Sequence, residues 1–272
     1  MRRVVQYIVL LALTLLFVSP LLLMLVTSFK SPGEASQTPP SWFPNPFTTQ
    51  AYERIFGAAD TPVLRWFLNS MLAATANALL VVLTASSAAY ALARLDFRGK
   101  KVVFGLIVAT LFVPPVILIV PNYEIVGRLY WLDTLLAIIV PTAAGGFGVF
   151  FLRQFFIQLP LELEESAFLD GANRWQIFTR IVLPLSQPVL AALAIFAFRS
   201  AWNDFLWPLI AVNKPEMFPL PVALALLRSA YSSESYGPIM AGAALSALPL
   251  LVVFVVANRR IVEGVRLSGL KG

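Results

Sequence analysis

The chain alternates long uncharged, apolar runs with short segments that hold nearly all of its charge. Runs of at least 18 residues without Asp, Glu, Lys or Arg occur at 4–29, 66–93, 102–123, 134–152, 181–198 and 235–258. A helix crosses a bilayer with about 20 mostly apolar residues. Six spans are therefore expected, at about 4–29, 66–93, 102–123, 134–152, 181–208 and 235–258. A seventh uncharged run, 35–52, reads ASQTPPSWFPNPFTTQAY. Its four prolines and many polar groups predict an extended loop, because proline lacks the N–H that a helix interior requires. The first run follows Arg2 and Arg3 but is longer than the apolar core of a secretory signal and lacks a small-residue cleavage site, so an uncleaved first helix is expected. The fold class expected is an all-α integral membrane protein, with residues 1–272 forming one transmembrane domain.

Composition supports the membrane reading. Hydrophobic residues make up 59% of the chain and charged residues only 12%, with a mean hydropathy of +0.80. A water-soluble domain carries about 25% charged residues. Cysteine and histidine are both absent, which removes disulfides, thiolate nucleophiles, imidazole bases and the usual zinc ligands. No metal site is expected, and a membrane-embedded enzyme is disfavoured. The net charge of +6 sits in short loops beside apolar runs, not in a stripe that would suit nucleic acid. Lys and Arg number thirteen in the amino terminus, the 94–101 and 153–180 loops and the carboxyl tail, against seven in the alternate loops. By the positive-inside rule both termini should be cytoplasmic.

Within the second span, Ser70, Ala74, Asn77, Val81, Thr84, Ala88 and Ala91 recur at alternating spacings of four and three. Such a small and polar stripe suits close helix approach and interhelical hydrogen bonds; Asn77 is also a candidate for the solute pathway. Pro114, Pro115 and Pro121 interrupt the third span, and Pro141 with Gly145, Gly146 and Gly148 loosens the fourth. Broken spans line polar pathways in some bundles and are plain kinks in others.

The loop of about 159–184 is the most informative segment. Pro160 suits a first helical turn, and Glu162, Glu164 and Glu165 favour the positive end of a helix. Gly171 permits a left-handed cap. Asn173 with Gln176 matches a capping box for a second helix, and Pro184 should bend the chain toward the fifth span. The pattern predicts a helix–turn–helix at the membrane face.

Those residues also carry a resemblance. ATP-binding-cassette (ABC) importer permeases have an "EAA" loop, E-A-A-x-x-D-G-A, then eight residues, then I-x-L-P. Here the matching positions are Glu165, Ser166, Ala167, Asp170, Gly171 and Ala172, then Ile181, Leu183 and Pro184. The departure is Ser166 for the middle alanine. AWNDFLWPL at 201–209, FPLPVAL at 218–224 and the ending RRIVEGVRLSGLKG resemble the maltose-transporter type of sugar permease, the subunit with six spans and a glycine-ending tail. The likeness covers essentially the whole chain. It implies the type I importer permease fold in a prokaryotic plasma membrane, importing a sugar or oligosaccharide. The partners implied are a second homologous permease, two ATP-binding subunits that hold ATP and magnesium, and an extracytoplasmic binding protein.

The resemblance also implies residue roles. The loop would be a coupling helix seated in a cleft of the ATPase, with Glu165 free either to pair there or only to stabilise its helix terminus. The tail residues Ser268, Gly269, Leu270, Lys271 and Gly272 would reach the ATPase interface, a solvated basic end being the alternative. The outer loop 199–234 would meet the binding protein. No phosphate-cradling G-x-x-x-x-G-K-[ST] sequence occurs; the run Gly264–Lys271 has Leu270 where lysine is required. ATP hydrolysis is therefore expected on a separate chain, and this subunit is not expected to be an enzyme. The main alternative is half of an ion-coupled secondary transporter, but such proteins place ionisable groups inside spans, and these spans nearly lack them.

Arg199, Trp202, Asn203 and Asp204 are further pathway or outer-loop candidates. Arg199 stands where resembling permeases carry a small or apolar residue. A span starting near Ser186 would put it about 20 Å along the helix. There it would either pair with Asp204 or water at the outer face, or face the cavity and favour an anionic or hydroxyl-rich solute.

Overall fold

The computed structural model describes residues 2–57, 61–230 and 236–269, with side chains described from Arg3 to Val256 except 229–230. Every regular element among them is helical. In chain order these are α1 (Arg2–Thr27), α2 (Pro32–Ala35), α3 (Gln50–Gly57), α4 (Val63–Arg94), α5 (Lys100–Ala109), α6 (Ile119–Arg128) and α7 (Leu135–Ile139). There follow α8 (Gly146–Phe156), α9 (Glu162–Leu169), α10 (Arg174–Ile177), α11 (Leu183–Leu185), α12 (Gln187–Trp202), α13 (Leu206–Ala211), α14 (Leu220–Ala230) and α15 (Tyr236–Gly269).

Among the described residues, α1, α4 and the Tyr236–Val256 part of α15 are each long and apolar enough to cross a membrane. Two expected spans are bent pairs instead. Lys100–Phe112 and Pro115–Arg128 meet at 99°, and Arg174–Leu185 and Gln187–Trp202 meet at 80°. The first bend falls at Pro114, which is extended (ψ 129) and removes a helical donor. Pro121 breaks nothing, because it lies in the first turn of α6, where its missing N–H has no partner to lose. The second bend follows a π-helical turn at Phe178–Val182 and the buried Ser186, whose hydroxyl donates to Val182 O at 2.6 Å. The run expected as a fourth continuous span, 134–152, is divided. The short α7 ends at Ile139, two residues before Pro141, and α8 starts only after the extended Gly145.

The chain divides into two compact units, residues 1–68 with 218–251, and residues 69–217 with 252–272. In the first, α1 leaves its apolar side chains exposed along almost its whole length, as suits a helix whose solvent is hydrocarbon. The proline-rich segment is an irregular loop over 36–49, as its sequence predicts, giving way to α3 at Gln50. It is nevertheless pinned. Lys30 Nζ donates to Ser41 O at 2.5 Å, Phe29 stacks on Phe47, and Ser28 Oγ lies 2.9 Å from the Tyr52 hydroxyl. Ser41 Oγ and the Asn45 N–H donate to the two Glu34 oxygens at 2.7 and 2.9 Å.

The Asn45 N–H and then the Ser41 hydroxyl hold the Glu34 carboxyl below its ordinary value. A depressed carboxylate contributes order at neutral pH and loses it as pH falls through its lowered pKa. We therefore expect proteolysis within 36–49 to quicken on acidification, and Glu34→Gln to show the same susceptibility already at neutral pH. Cleavage rates indifferent to both would mean that the Glu34 bonds do not hold the loop.

The second unit has a core of Ala85, Ala89, Tyr90 and Leu92 from α4, Leu152 and Phe156 from α8, Ile177, Phe178 and Val182 after the turn, and Val189 and Leu193 of α12. Close helix approach is built into it. A Cβ on Gly148 would lie 2.9 Å from Ala85 Cβ, a contact that only glycine permits.

Candidate functional site

Two regions of the second unit collect the residues that the sequence singles out. The first is the loop from Leu159 to Pro184. Glu162 to Leu169 forms α9, with its three acidic residues in the first turn. Pro160 lies one residue ahead of the helix cap, not in the first turn as expected. Gly171 has φ +83, and its N–H donates to Phe168 O while the Ala172 N–H donates to Ala167 O. That pair of bonds, nested with glycine in the left-handed position, is a Schellman cap. Asn173 then opens α10 with a complete capping box. Its side chain accepts from Gln176 N at 2.9 Å, and Gln176 Oε1 accepts from Asn173 N at 2.8 Å. The Arg174 guanidinium lies 4.3 Å over the Phe168 ring and ties the two helices together.

Between α9 and the π-helical turn with α11 is an open groove of about 440 Å³, lined by Ser166, Ala167, Asp170, Ile181 and Pro184 together with Leu163, Leu185 and Arg180. Five positions of the EAA pattern thus share one concavity. Gly171 and Ala172 form the turn behind it, and Glu165 is exposed outside it. Leu169 is 90% exposed and Trp175 68% exposed on the same loop. Sequence reasoning missed both side chains; their position flanking the Asp170–Gly171 turn was the available signal.

Behind the groove lies a buried ion pair that the sequence reading also missed. Arg94 Nε stands 2.8 Å from Glu164 Oε1, with the two side chains 5% and 4% exposed. The Arg94 guanidinium also donates to Leu159 O at 2.6 Å, and the Tyr90 hydroxyl donates to Glu164 Oε2 at 3.3 Å. Glu164 does more than favour a helix terminus. Its side chain turns inward while Glu165 turns out.

The second region is a cavity of about 430 Å³ at the division between α7 and α8. Asn77, Thr142, Ser200 and Asp204 supply its polar lining, and Phe147, Leu193 and Phe196 its apolar walls. The interrupted backbone frees carbonyls that hydrocarbon cannot satisfy. Asn77 Nδ2 donates to Ile139 O at 3.1 Å and to Thr142 Oγ1 at 2.8 Å, Thr84 Oγ1 donates to Ala143 O at 3.1 Å, and Trp207 Nε1 donates to Ala137 O at 2.8 Å. The stripe of α4 therefore serves the break, and two of its members, Asn77 and Val81, also face the cavity. The Asp204 carboxylate accepts the backbone N–H groups of Phe205 and Trp207.

The other outer candidates are placed differently. Arg199 is exposed, is not part of the cavity lining, and among the described residues forms no ion pair with Asp204. Its carbonyl accepts from Asn203 Nδ2 at 3.0 Å. Trp202 is 1% exposed with its ring stacked on Phe198, so it is a core residue and not a cavity wall. The 199–234 stretch holds α13 and the whole of α14, with Phe218, Leu220, Val222 and Ala223 buried. Of the tail, Ser268 and Gly269 end the backbone of α15, while their side chains and the whole of Leu270, Lys271 and Gly272 lie outside the described residues.

The chain is 34% identical over 257 residues to the arabinooligosaccharides transport system permease protein AraQ of Halalkalibacterium halodurans, covering 94% of this chain and 91% of that one. It is 34% identical to the lactose transport system permease protein LacG of Rhizobium radiobacter, over 80% of each chain. A crystal structure of a bacterial ABC transporter involved in import of the acidic polysaccharide alginate superposes with a TM-score of 0.81, covering 94% of this chain and 95% of that one. At 23% identity that likeness speaks for the fold. Residues 81–267 match the family described as binding-protein-dependent transport system inner membrane component, and the chain belongs to that family.

Proposed function

We propose that this chain is the membrane-spanning permease subunit of an ATP-driven, binding-protein-dependent importer of a sugar or oligosaccharide. Its six spans place both termini in the cytoplasm, the bent pair Lys100–Phe112 with Pro115–Arg128 and the divided α7–α8 segment each counting as one span and α12 carrying the fifth, and residues 1–272 act as one transmembrane domain. The observation that carries the reading is the exposed groove on the cytoplasmic loop. Small and apolar residues at EAA positions form a concavity on a rigidly capped helix pair, with Leu169 and Trp175 left bare beside it. A surface of that kind buries its apolar area against a partner. The partner proposed is an ATP-binding subunit, one of two, which holds the nucleotide and magnesium; a second homologous permease and an extracytoplasmic binding protein complete the importer. Movement of the docked loop would bias the spans between inward and outward openings, and the cavity lined by Asn77, Thr142, Ser200 and Asp204 would be part of the solute path. Its hydroxyl, amide and carboxylate groups suit a hydroxyl-rich solute. The names of relatives that carry arabinooligosaccharides and lactose support the same substrate class.

Co-purification with an ATPase and ATP-dependent uptake into vesicles, run over a panel of mono- and oligosaccharides, tests the reading. Uptake of at least one sugar only with ATP and binding protein is expected. Uptake driven by a proton or sodium gradient without ATP would replace it with an ion-coupled transporter. In the same preparation, crosslinks from 210–232 to the binding protein and from the tail to the ATPase are expected, and their absence would remove those two contacts from the proposal.

A further inference from the structure

The Arg94–Glu164 pair has no part in the groove, yet it occupies the junction between the coupling loop and the helix that lines the cavity. We propose that Arg94, Glu164 and Tyr90 form a strut that passes displacement of the coupling loop into α4. The inference rests on the docking role proposed for the loop and goes one step further into the membrane domain.

Three features distinguish the strut from ordinary packing. First, its charges are buried, with side chains 5% and 4% exposed. A buried pair is a costly way to fill space, since apolar residues of the same volume often do as well for stability. Second, its bonds converge from both ends of one joint. Arg94 holds Glu164 and Leu159 O on the α9 side, while Tyr90, one turn back along α4, reaches Glu164 with its hydroxyl and lays its ring on Phe178 at 5.0 Å. The last turn of α4 thereby grips both halves of the loop. Third, α4 is unbroken from Arg94 back to Asn77, about 26 Å at 1.5 Å per residue. Asn77 bonds the divided segment and faces the cavity. A rigid helix held at one end by the loop and bonded at the other to the α7–α8 break moves both together. Apolar packing alone would let the loop slide; the buried charge pair, together with the directed bond from the Arg94 guanidinium to Leu159 O, resists it.

The test uses the complete importer in vesicles, measuring solute taken up per ATP hydrolysed. The chain has no cysteine, so Ser166→Cys supplies a single crosslinking site in the groove. A crosslink to the ATPase in the otherwise parental protein establishes docking independently; its absence would sink the docking reading itself and leave the strut without a lever. With docking present, the double variant Arg94→Met with Glu164→Leu, which leaves no unpaired charge, should keep assembly and ATP hydrolysis while uptake per ATP falls roughly fivefold or more. Tyr90→Phe keeps the ring on Phe178 and removes only the hydroxyl, and should lower the ratio by roughly twofold. The charge-exchanged pair Arg94→Glu with Glu164→Arg should recover part of it. An unchanged ratio in the apolar double variant would overturn the proposal. So would loss of assembly in that variant with Tyr90→Phe matching the parent, which would make the pair structural only.

Discussion

Replacing Gly171 with proline should leave membrane insertion intact and reduce transport by roughly tenfold or more, equivalent to about 1.4 kcal/mol of barrier per decade. The reason lies in the cap. Gly171 has φ +83, where an ordinary L-residue is strained by roughly 1–2 kcal/mol and proline, fixed near φ −65°, cannot follow at all. Proline also removes the N–H that donates to Phe168 O. The Schellman cap is lost, α10 is re-aimed, and Ser166, Ala167 and Asp170 no longer face Ile181 and Pro184 across one groove. Gly171→Ala is the graded control, keeping the donor but straining the turn, and should lie between parent and Gly171→Pro. Glu165→Lys tests charge without disturbing the cap, because Glu165 is exposed outside the groove. Its transport should fall if a cationic cleft receives the loop. Parental transport by either Gly171→Pro or Glu165→Lys would mean that the loop does not couple as proposed.

The helix–turn–helix of the 159–184 loop was legible in the sequence because its signals are local. Glycine in a left-handed cap, Asn173 three residues before Gln176 and acids in a first turn each act within one or two turns of chain, so spacing alone predicts them. What escaped was set by distant partners. Arg94 reads as a positive-inside charge at the end of a span and Glu164 as one acid among three; only tertiary packing buries them together across 70 residues of sequence. The same limit explains the spans. Apolar content predicts that 102–123, 134–152 and 181–208 are embedded but is blind to whether they run straight, since Pro114 and Pro141 break a helix whereas Pro121 in a first turn does not. Arg199 and Trp202 looked alike as residues near a span end. Packing separates them into an exposed cation and a fully buried ring.

The polar stripe on α4 yields a sharper experiment, because two of its members do the same backbone work and only one reaches the cavity. Asn77 and Thr84 are seven residues, about two turns, apart; Asn77 donates to a carbonyl freed at the α7–α8 break, and the Thr84 hydroxyl shares its one proton between such a carbonyl, Ala143 O at 3.1 Å, and Leu80 O of its own helix at 2.8 Å. In a membrane such a bond contributes roughly 0.6 kcal/mol, and its loss leaves a carbonyl without water to replace it. Thr84→Val and Asn77→Leu should therefore weaken the bundle to a similar small degree, seen as a modest drop in the temperature at which the assembled complex loses its fold. They should differ in transport. Asn77 lines the cavity beside Thr142, Ser200 and Asp204, and Thr84 does not. Leucine there turns part of a polar wall apolar and deprives a hydroxyl-rich solute of an amide partner. Uptake is expected to fall roughly tenfold or more with Asn77→Leu, equivalent to about 1.4 kcal/mol, and by less than about twofold with Thr84→Val. Equal losses in the two variants would show that the stripe only holds the broken span in place, and the solute path would then have to run elsewhere.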